Sequence, residues 1–132
     1  MNWPALNSTP NRLRIAGLWG QWSREFRKDQ ASAGEAANFV RGYLMAKDAQ
    51  VRLEAIGAIG SLGNADDRTT LVRIATGRDN EAALRATTGI FAIERVVSLG
   101  ESVLPFVFHN AQFEDVRAMA RRLIDLGQEV HR

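Results

Sequence analysis

The 132-residue chain contains no cysteine, which excludes disulfide bonds, thiolate metal ligands and a cysteine nucleophile. It has only three prolines, and such scarcity favours helices because proline interrupts them. No apolar run approaches the roughly 18 residues that a transmembrane helix needs, and no signal peptide is visible. We therefore expect a cytoplasmic protein that does not enter a membrane.

Motifs for catalysis are also missing. The sequence has no glycine-rich phosphate loop, no Gly-x-Ser-x-Gly elbow and no cluster with metal-ligand spacing. Its two histidines are His109, which precedes Asn110, and His131, which is the penultimate residue, and both are expected to be surface residues. We predict no catalytic residue, no metal site and no cofactor, and we expect that the chain is not an enzyme.

Positive charge is concentrated at the start of the chain. The net charge is +2, but residues 1–30 hold five basic and two acidic side chains, whereas residues 31–132 hold 12 and 13. Such a patch could favour an acidic partner, although scattered Lys and Arg most often serve solubility. The five basic residues are Arg12, Arg14, Arg24, Arg27 and Lys28.

A short pattern recurs along the chain. Val51-Arg52, Leu84-Arg85 and Val116-Arg117 each lie in a helical segment, and successive copies are 33 and 32 residues apart. Recurrence at about 20–50 residues marks a repeat array, in which each unit buries its apolar face against a neighbour. We predict an irregular lead-in over 1–10 and a single repeat domain over 11–132.

Apolar periodicity and capping residues predict seven helices. Asp48 and Asp79 are expected to cap the third and fifth helices, and Gly63 to end the third in the left-handed conformation. Pro105 is tolerable only in the first turn of the sixth helix. The predicted bounds are 11–29, 34–47, a third helix ending at 62, then 67–76, 80–98, 101–110 and 113–130.

The first predicted helix has a single apolar arc, because a rotation of about 100° per residue brings its large apolar side chains together. We expect this arc to be buried against the second helix, although Trp19 and Trp22 could instead stack on bases or anchor a partner. Trp3 precedes the helices and is the better candidate for an exposed anchor. The arc consists of Ile15, Leu18, Trp19, Trp22 and Phe26.

Residues 48–63, Asp-Ala-Gln-Val-Arg-Leu-Glu-Ala-Ile-Gly-Ala-Ile-Gly-Ser-Leu-Gly, closely resemble the HEAT-like repeat, especially the short kind first described in phycobilin lyases. The resemblance is strong over 48–78, fair over 113–127 and weaker over 79–111, and over 1–47 it rests on helix spacing. It implies an all-α fold, a right-handed α-solenoid (α-α superhelix) of about three and a half helical hairpins with a concave binding surface.

The resemblance also implies a structural ladder between repeats. Arg52, Arg85 and Arg117 occupy equivalent positions, where arginines of this family commonly pair with an acidic side chain. Exposed pairs of this kind contribute only about 0–1 kcal/mol each. A row of arginines along a groove could alternatively bind phosphates or carboxylates. The acidic candidates are Asp48, Asp79 and Asp115.

Three functions are compatible with these features. The first is a non-catalytic module that binds another protein, with Trp3, Arg24, Arg27 and Lys28 as candidate contacts. The second is binding of a nucleic-acid backbone through the five basic residues, which the near-neutral charge beyond residue 30 disfavours. The third, a bilin-lyase-like enzyme, rests on family association alone. Pairing of two copies through the first helix is a further alternative.

Overall fold

The computed structural model describes residues 9–22 and 30–130. These residues form seven helices and no strand, which confirms the all-α prediction for this part of the chain. None of the described helices combines the length and apolar character that crossing a bilayer requires. The helices are α1 (Thr9–Trp22), α2 (Gln30–Arg41), α3 (Ala49–Leu62), α4 (Ala65–Ala75), α5 (Asn80–Val96), α6 (Leu104–Asn110) and α7 (Glu114–Val130).

The chain divides into two compact units, Met1–Gly63 with α1 to α3 and Asn64–Arg132 with α4 to α7. Helices α3 to α7 end or begin close to their predicted bounds. The prediction is wrong for the second helix, which was expected over 34–47, because α2 ends at Arg41. Gly42 follows, and glycine is the poorest helix former after proline. The chain continues in turns, with the Tyr43 amide donating to the Val40 carbonyl.

Two predicted N-caps are confirmed. The Asp48 side chain accepts a hydrogen bond from the Val51 amide at 3.1 Å, and Asp79 accepts one from the Ala82 amide at 3.2 Å. Each carboxylate thereby satisfies a donor that the first helical turn leaves without a partner. Pro105 lies in the first turn of α6, because this helix begins at Leu104 and not at the predicted residue 101, and there its missing N–H removes no helical hydrogen bond.

The predicted left-handed cap at Gly63 is wrong. This glycine has a φ of −75° and a ψ of 170°, an extended conformation, and its amide donates to the Ile59 carbonyl at 2.7 Å. The very next residue, Asn64, already caps α4 in a reciprocal capping box with Asp67. The chain therefore passes in an extended conformation from Gly63 directly into the N-cap of α4, and neither of these two residues is left-handed.

In the first unit, glycine allows α1 to pack closely against α2 and α3. A Cβ atom added at Gly17 would lie 3.1 Å from the Cβ of Ala58. One added at Gly20 would overlap the Leu62 side chain and lie 3.0 Å from the Cβ of Ala36. At this separation of the helices, a side chain at either position would require the neighbouring residues to shift. The other buried residues of α1 are Leu13 and Ala16.

The prediction that this whole apolar arc is buried is therefore wrong for two of its members. Leu18 is 63% exposed and Trp22 is 43% exposed, whereas Ile15 and Trp19 are half-buried. Phe26, the last member of the arc, lies outside the described residues. The glycine-rich side of α1 faces the core instead, because small residues permit closer backbone contact than the large ones would.

In the second unit, α5 packs against α4, α6 and α7, in keeping with its apolar sequence. Ile90 and Ile93 are fully buried, and the buried hydroxyl of Thr87 donates to the Ala83 carbonyl at 2.7 Å. This local hydrogen bond removes the cost of burying a polar atom in the core. α5 is thus the central helix of its unit.

Helix α7 is amphipathic. Val116, Ala120 and Leu123 are buried, whereas Leu126 is 42% exposed. The opposite side of the helix is polar and largely exposed. Its exposed charged residues include Arg121, Arg122 and Asp125.

Substitution of Gly20 tests the close approach of α1. We expect Gly20→Ala to lower the free energy of unfolding by about 1–3 kcal/mol, because the added methyl group overpacks the contact with Leu62. Gly34→Ala is the control, since this exposed position in α2 has nothing within 4 Å of an added Cβ. Alanine there should stabilise by about 0.5–1 kcal/mol. Urea denaturation measures the free energy of unfolding of both variants. A Gly20→Ala protein as stable as the wild type would contradict the close packing of α1.

Candidate functional site

The site is built around the connection between α5 and α6, which folds back over the end of α5. Gly100 lies in this connection with a φ of +79°, in the left-handed region that residues with side chains rarely adopt. Glycine at this point lets the chain reverse direction without backbone strain. The reversal brings residues 102 and 103 beside Glu94, in the last turn of α5.

Glu94 holds this connection in place. Its Oε1 accepts from the Ser102 hydroxyl at 2.6 Å, and its Oε2 accepts from the Val103 amide at 2.8 Å and from Arg68 Nη1 at 2.8 Å. The Arg68 and Glu94 side chains are only 15% and 14% exposed. Breaking an ion pair so shielded from solvent costs more than breaking a surface pair, because the remaining charge is left without its partner away from water.

The partners of Glu94 make two further hydrogen bonds, which extend the network to both sides. Arg68 Nη1 also donates to the main-chain carbonyl of Glu101 at 3.2 Å. The Ser102 oxygen accepts from the Leu104 amide at 3.0 Å, at the beginning of α6. We call these residues, Arg68, Glu94, Ser102 and Val103, the Glu94 brace. It joins α4, α5 and the start of α6.

The brace was missed by sequence analysis, although one signal was present. Glu94 interrupts the otherwise apolar run Ile90-Phe91-Ala92-Ile93, which continues at Val96 after Arg95. A lone carboxylate in such a helix needs a buried partner, because burial of an unpaired charge is costly. The identity of that partner could not be inferred, since Arg68 lies 26 residues away on another helix.

Beside the brace, α5, α6 and α7 line a cavity of about 590 Å³, within the usual range for ligand pockets of roughly 300–1,000 Å³. We call it the α5–α7 groove. All of its lining residues belong to the second unit. Its apolar lining is Phe91, Leu104, Pro105, Leu123 and Ile124, and the remainder is Glu94, Arg95, Gly100, Ser102, Gly127 and Gln128.

Arg95 is the exposed cation of this groove. Its guanidinium carbon lies 5.4 Å from the centroid of the Phe91 ring, at cation–π distance. Arg95 is exposed while Phe91 is half-buried, so the aromatic ring supports the charge from the protein side. The neighbouring charge, Glu94, is already paired with Arg68.

Two of the three arginines predicted to form the repeat ladder, Arg52 and Arg117, bind main-chain carbonyls. Arg52 Nη1 donates to the carbonyls of Ala46 and Lys47, both at 2.8 Å. Arg117 Nη1 donates to the Ala111 carbonyl, also at 2.8 Å. In both cases one acceptor lies six residues earlier, in the loop before the helix. Each arginine thus fastens the loop that leads into its own helix.

The three acidic residues predicted for the ladder lie at the beginnings of helices. Asp48 and Asp79 are N-caps, as described above. Asp115 lies in the first turn of α7 and accepts from the Asn80 side chain at 2.7 Å, which links the beginnings of α5 and α7. Arg85, at the equivalent position in the middle repeat, is exposed on α5.

Two members of the predicted basic patch, Arg12 and Arg14, lie in the described part of the chain. The Arg12 guanidinium carbon lies 5.7 Å from the Phe39 ring centroid, and Arg14 Nη2 lies 2.9 Å from Glu54 Oε1. The hydrogen bond and the charge of Glu54 raise the pKa of Arg14, which stays cationic. Both arginines therefore interact within their own unit. The candidate contacts Trp3, Arg24, Arg27 and Lys28 lie outside the described residues.

The described part of the chain contains no group of three His, Asp or Glu residues that could hold a metal ion. His109 is exposed and its ring lies 5.1 Å from that of Phe108 in an edge-on arrangement. His131 lies outside the described residues. Trp19 and Trp22, which were expected to be buried and could alternatively have anchored a partner, have ring centroids 5.4 Å apart on α1.

Removal of the central carboxylate tests the Glu94 brace. Glu94→Ala leaves the shielded Arg68 cation and the Val103 amide without their acceptor, so we expect a loss of about 3 kcal/mol in unfolding free energy. Glu101→Ala is the matched control, because Glu101 contributes only its main-chain carbonyl to the brace and should change stability by less than about 0.5 kcal/mol. Equal denaturation midpoints for the two variants would refute this role.

Replacement of a repeat arginine tests the loop fastening. Arg117→Met keeps most of the side-chain length but loses the bond to the Ala111 carbonyl, and should cost about 1–2 kcal/mol. Arg121→Met on the same helix removes an exposed pair with Asp125, 3.6 Å apart, and should cost less than about 0.5 kcal/mol. Thermal and urea unfolding of both variants provide the comparison. The assignment fails if Arg121→Met is the more destabilised protein.

No family model matches the chain, and neither does any curated protein or solved structure. The HEAT-like resemblance over 48–78 therefore stays a prediction. The function has to be argued from the groove, the brace and the repeated arginines of this chain.

Proposed function

We propose that this chain is a non-catalytic module that binds another protein, and that the α5–α7 groove receives a segment of that partner. The groove has the size of a ligand pocket and combines an apolar wall with exposed polar residues. Partner recognition commonly uses this combination, in which apolar side chains fill a pocket and polar groups at its edge fix their orientation. The observation that carries the proposal is the groove itself.

The chemistry of the groove supports binding over catalysis. Glu94 is the carboxylate among the lining residues, and its two oxygens accept three hydrogen bonds within the protein. A carboxylate held in this way serves the structure and is poorly placed to accept a proton from a substrate. The bilin-lyase alternative gains no support from these residues.

Recurring local contacts support the HEAT-like α-solenoid that we propose for the fold. Arg52 and Arg117 bind the carbonyl six residues earlier, although they lie in different repeats. Asp48 and Asp79 likewise cap their helices in the same way, each accepting from the amide three residues later. Identical contacts at repeat-related positions are expected of units built to one plan.

We also propose a cytoplasmic location for the protein.

Two alternatives concern the first unit. Nucleic-acid binding would draw on the basic patch, but Arg12 and Arg14, its described members, contact Phe39 and Glu54. Pairing of two copies through α1 is favoured by Leu18 and Trp22, which lie one turn apart on α1 and leave two large apolar side chains partly in solvent. We regard such pairing as compatible with peptide binding in the second unit.

Peptide selection tests the proposed function without knowledge of the natural partner. A library of random displayed peptides is selected on the immobilised full-length chain, and the affinities of enriched sequences are measured by fluorescence anisotropy. We expect Ile124→Glu, which places a charge in the apolar wall, to weaken binding at least tenfold. Leu126→Glu is the matched control, because Leu126 lies on the same helix and does not line the groove.

A second variant guards against misfolding of Ile124→Glu. Gly127→Leu adds bulk at the groove wall, where an added Cβ meets only Phe91 at 3.9 Å, and should also reduce binding while the fold is kept. Circular dichroism and urea unfolding verify the fold of every variant. The proposal is wrong if no peptide is enriched, or if enriched peptides bind wild type and both groove variants equally.

A further inference from the structure

The charges of the α5–α7 groove do not cancel. Its lining contains two charged side chains, Glu94 and Arg95. Glu94 is neutralised by Arg68 at 2.8 Å, and both side chains of that pair are largely shielded from solvent. Arg95 is exposed, and the contact described for its guanidinium is with the Phe91 ring. A single unneutralised cation therefore remains beside the apolar wall.

The surrounding acidic residues do not compensate Arg95. Asp125 on α7 lies 3.6 Å from Arg121, and Glu101 in the α5–α6 connection is exposed. Glu129, near the end of α7, is exposed as well. Within residues 9–22 and 30–130, no ion pair joins Arg95 to a carboxylate. The groove thus presents a positive charge that an incoming anion could satisfy.

The position of this charge defines the complementary ligand. Arg95 lies over Phe91, and the apolar wall continues through Leu123 and Ile124. A guanidinium supported by an aromatic ring still offers its N–H donors at the edge, where a carboxylate can accept two of them. A ligand that fits must therefore carry a carboxylate next to bulky apolar groups.

We propose that the partner segment bound in the groove contains an acidic residue, Asp or Glu, beside bulky apolar residues, and that its carboxylate pairs with Arg95. This inference rests on the proposed peptide-binding function and adds the chemistry of the partner. The apolar side chains occupy the space beside Leu104, Leu123 and Ile124, while Gln128 offers a further polar contact at the edge. The pair with Arg95 contributes mainly orientation and selectivity, as charges at the edge of an interface do.

The peptide selection is repeated in parallel on the wild type and on Arg95→Glu. We expect wild-type selection to enrich Asp or Glu flanked by Leu, Ile, Met or aromatic residues. The charge reversal should replace the acid by Lys or Arg at the same position, since opposite charges attract across the same contact. Enrichment of the same acidic sequences on both proteins would overturn the inference.

A double-mutant cycle then locates the contact. For one enriched peptide, we expect replacement of its acid by the corresponding amide to weaken binding about fivefold, and Arg95→Gln to have the same effect. The two changes together should cost no more than either alone. Arg122→Gln is the control, because Arg122 is an exposed arginine of α7 outside the groove lining, and it should alter affinity less than twofold.

The outcomes separate this inference from the proposed function. Groove-dependent peptides that lack an acidic preference would overturn the pairing with Arg95 and leave peptide binding intact. An absence of any enriched peptide would overturn both. Decanoate serves as a probe for a small carboxylate ligand: if it bound at Arg95 while no acidic peptide did, the groove would be a fatty-acid site and the inference would be wrong.

Discussion

The hydrogen bonds of Glu94 determine the organisation of the second unit. A single carboxylate on α5 receives donors from α4, from the α5–α6 connection and from the residue that precedes α6. Without this acceptor the connection would have to satisfy the Val103 amide in solvent, and one wall of the groove would lose its fixed position. Leaving the shielded Arg68 without its partner would be costly, and this cost favours the state in which all the contacts of Glu94 are made. The groove is thus a product of charge pairing as much as of apolar packing.

The first unit is organised by the absence of side chains. Gly17 and Gly20 permit α1 to contact α2 and α3 at short range, and this contact decides which side of the helix is buried. Periodicity predicts burial of the arc of large apolar residues, whereas the structure buries the side that carries the small ones. The sequence also contained a competing signal, a face of small residues on α1 formed by Ala16, Gly17 and Gly20. Close backbone packing prevailed, and Leu18 and Trp22 remain partly in solvent.

Local features of the structure follow from the sequence, whereas the groove does not. The helices, the caps at Asp48 and Asp79 and the position of Pro105 depend on interactions within a few residues, so that composition and spacing suffice. The recurring arginines were recognised as equivalent, but their carbonyl acceptors belong to loop conformations that no spacing specifies. The groove depends on Arg68 and Glu94, 26 residues apart, and on the positive φ of Gly100. Such long-range pairing is not encoded in any short window of the chain.

The brace also gives α4 an influence on a surface that it does not line. Arg68 is absent from the groove wall, but it cancels the charge of Glu94, which is part of that wall. If position 68 lost its positive charge, the carboxylate of Glu94 would be left uncompensated and would offset the charge of Arg95 in the groove lining. A single substitution on α4 would therefore change the stability of the second unit and the net charge of the groove at the same time.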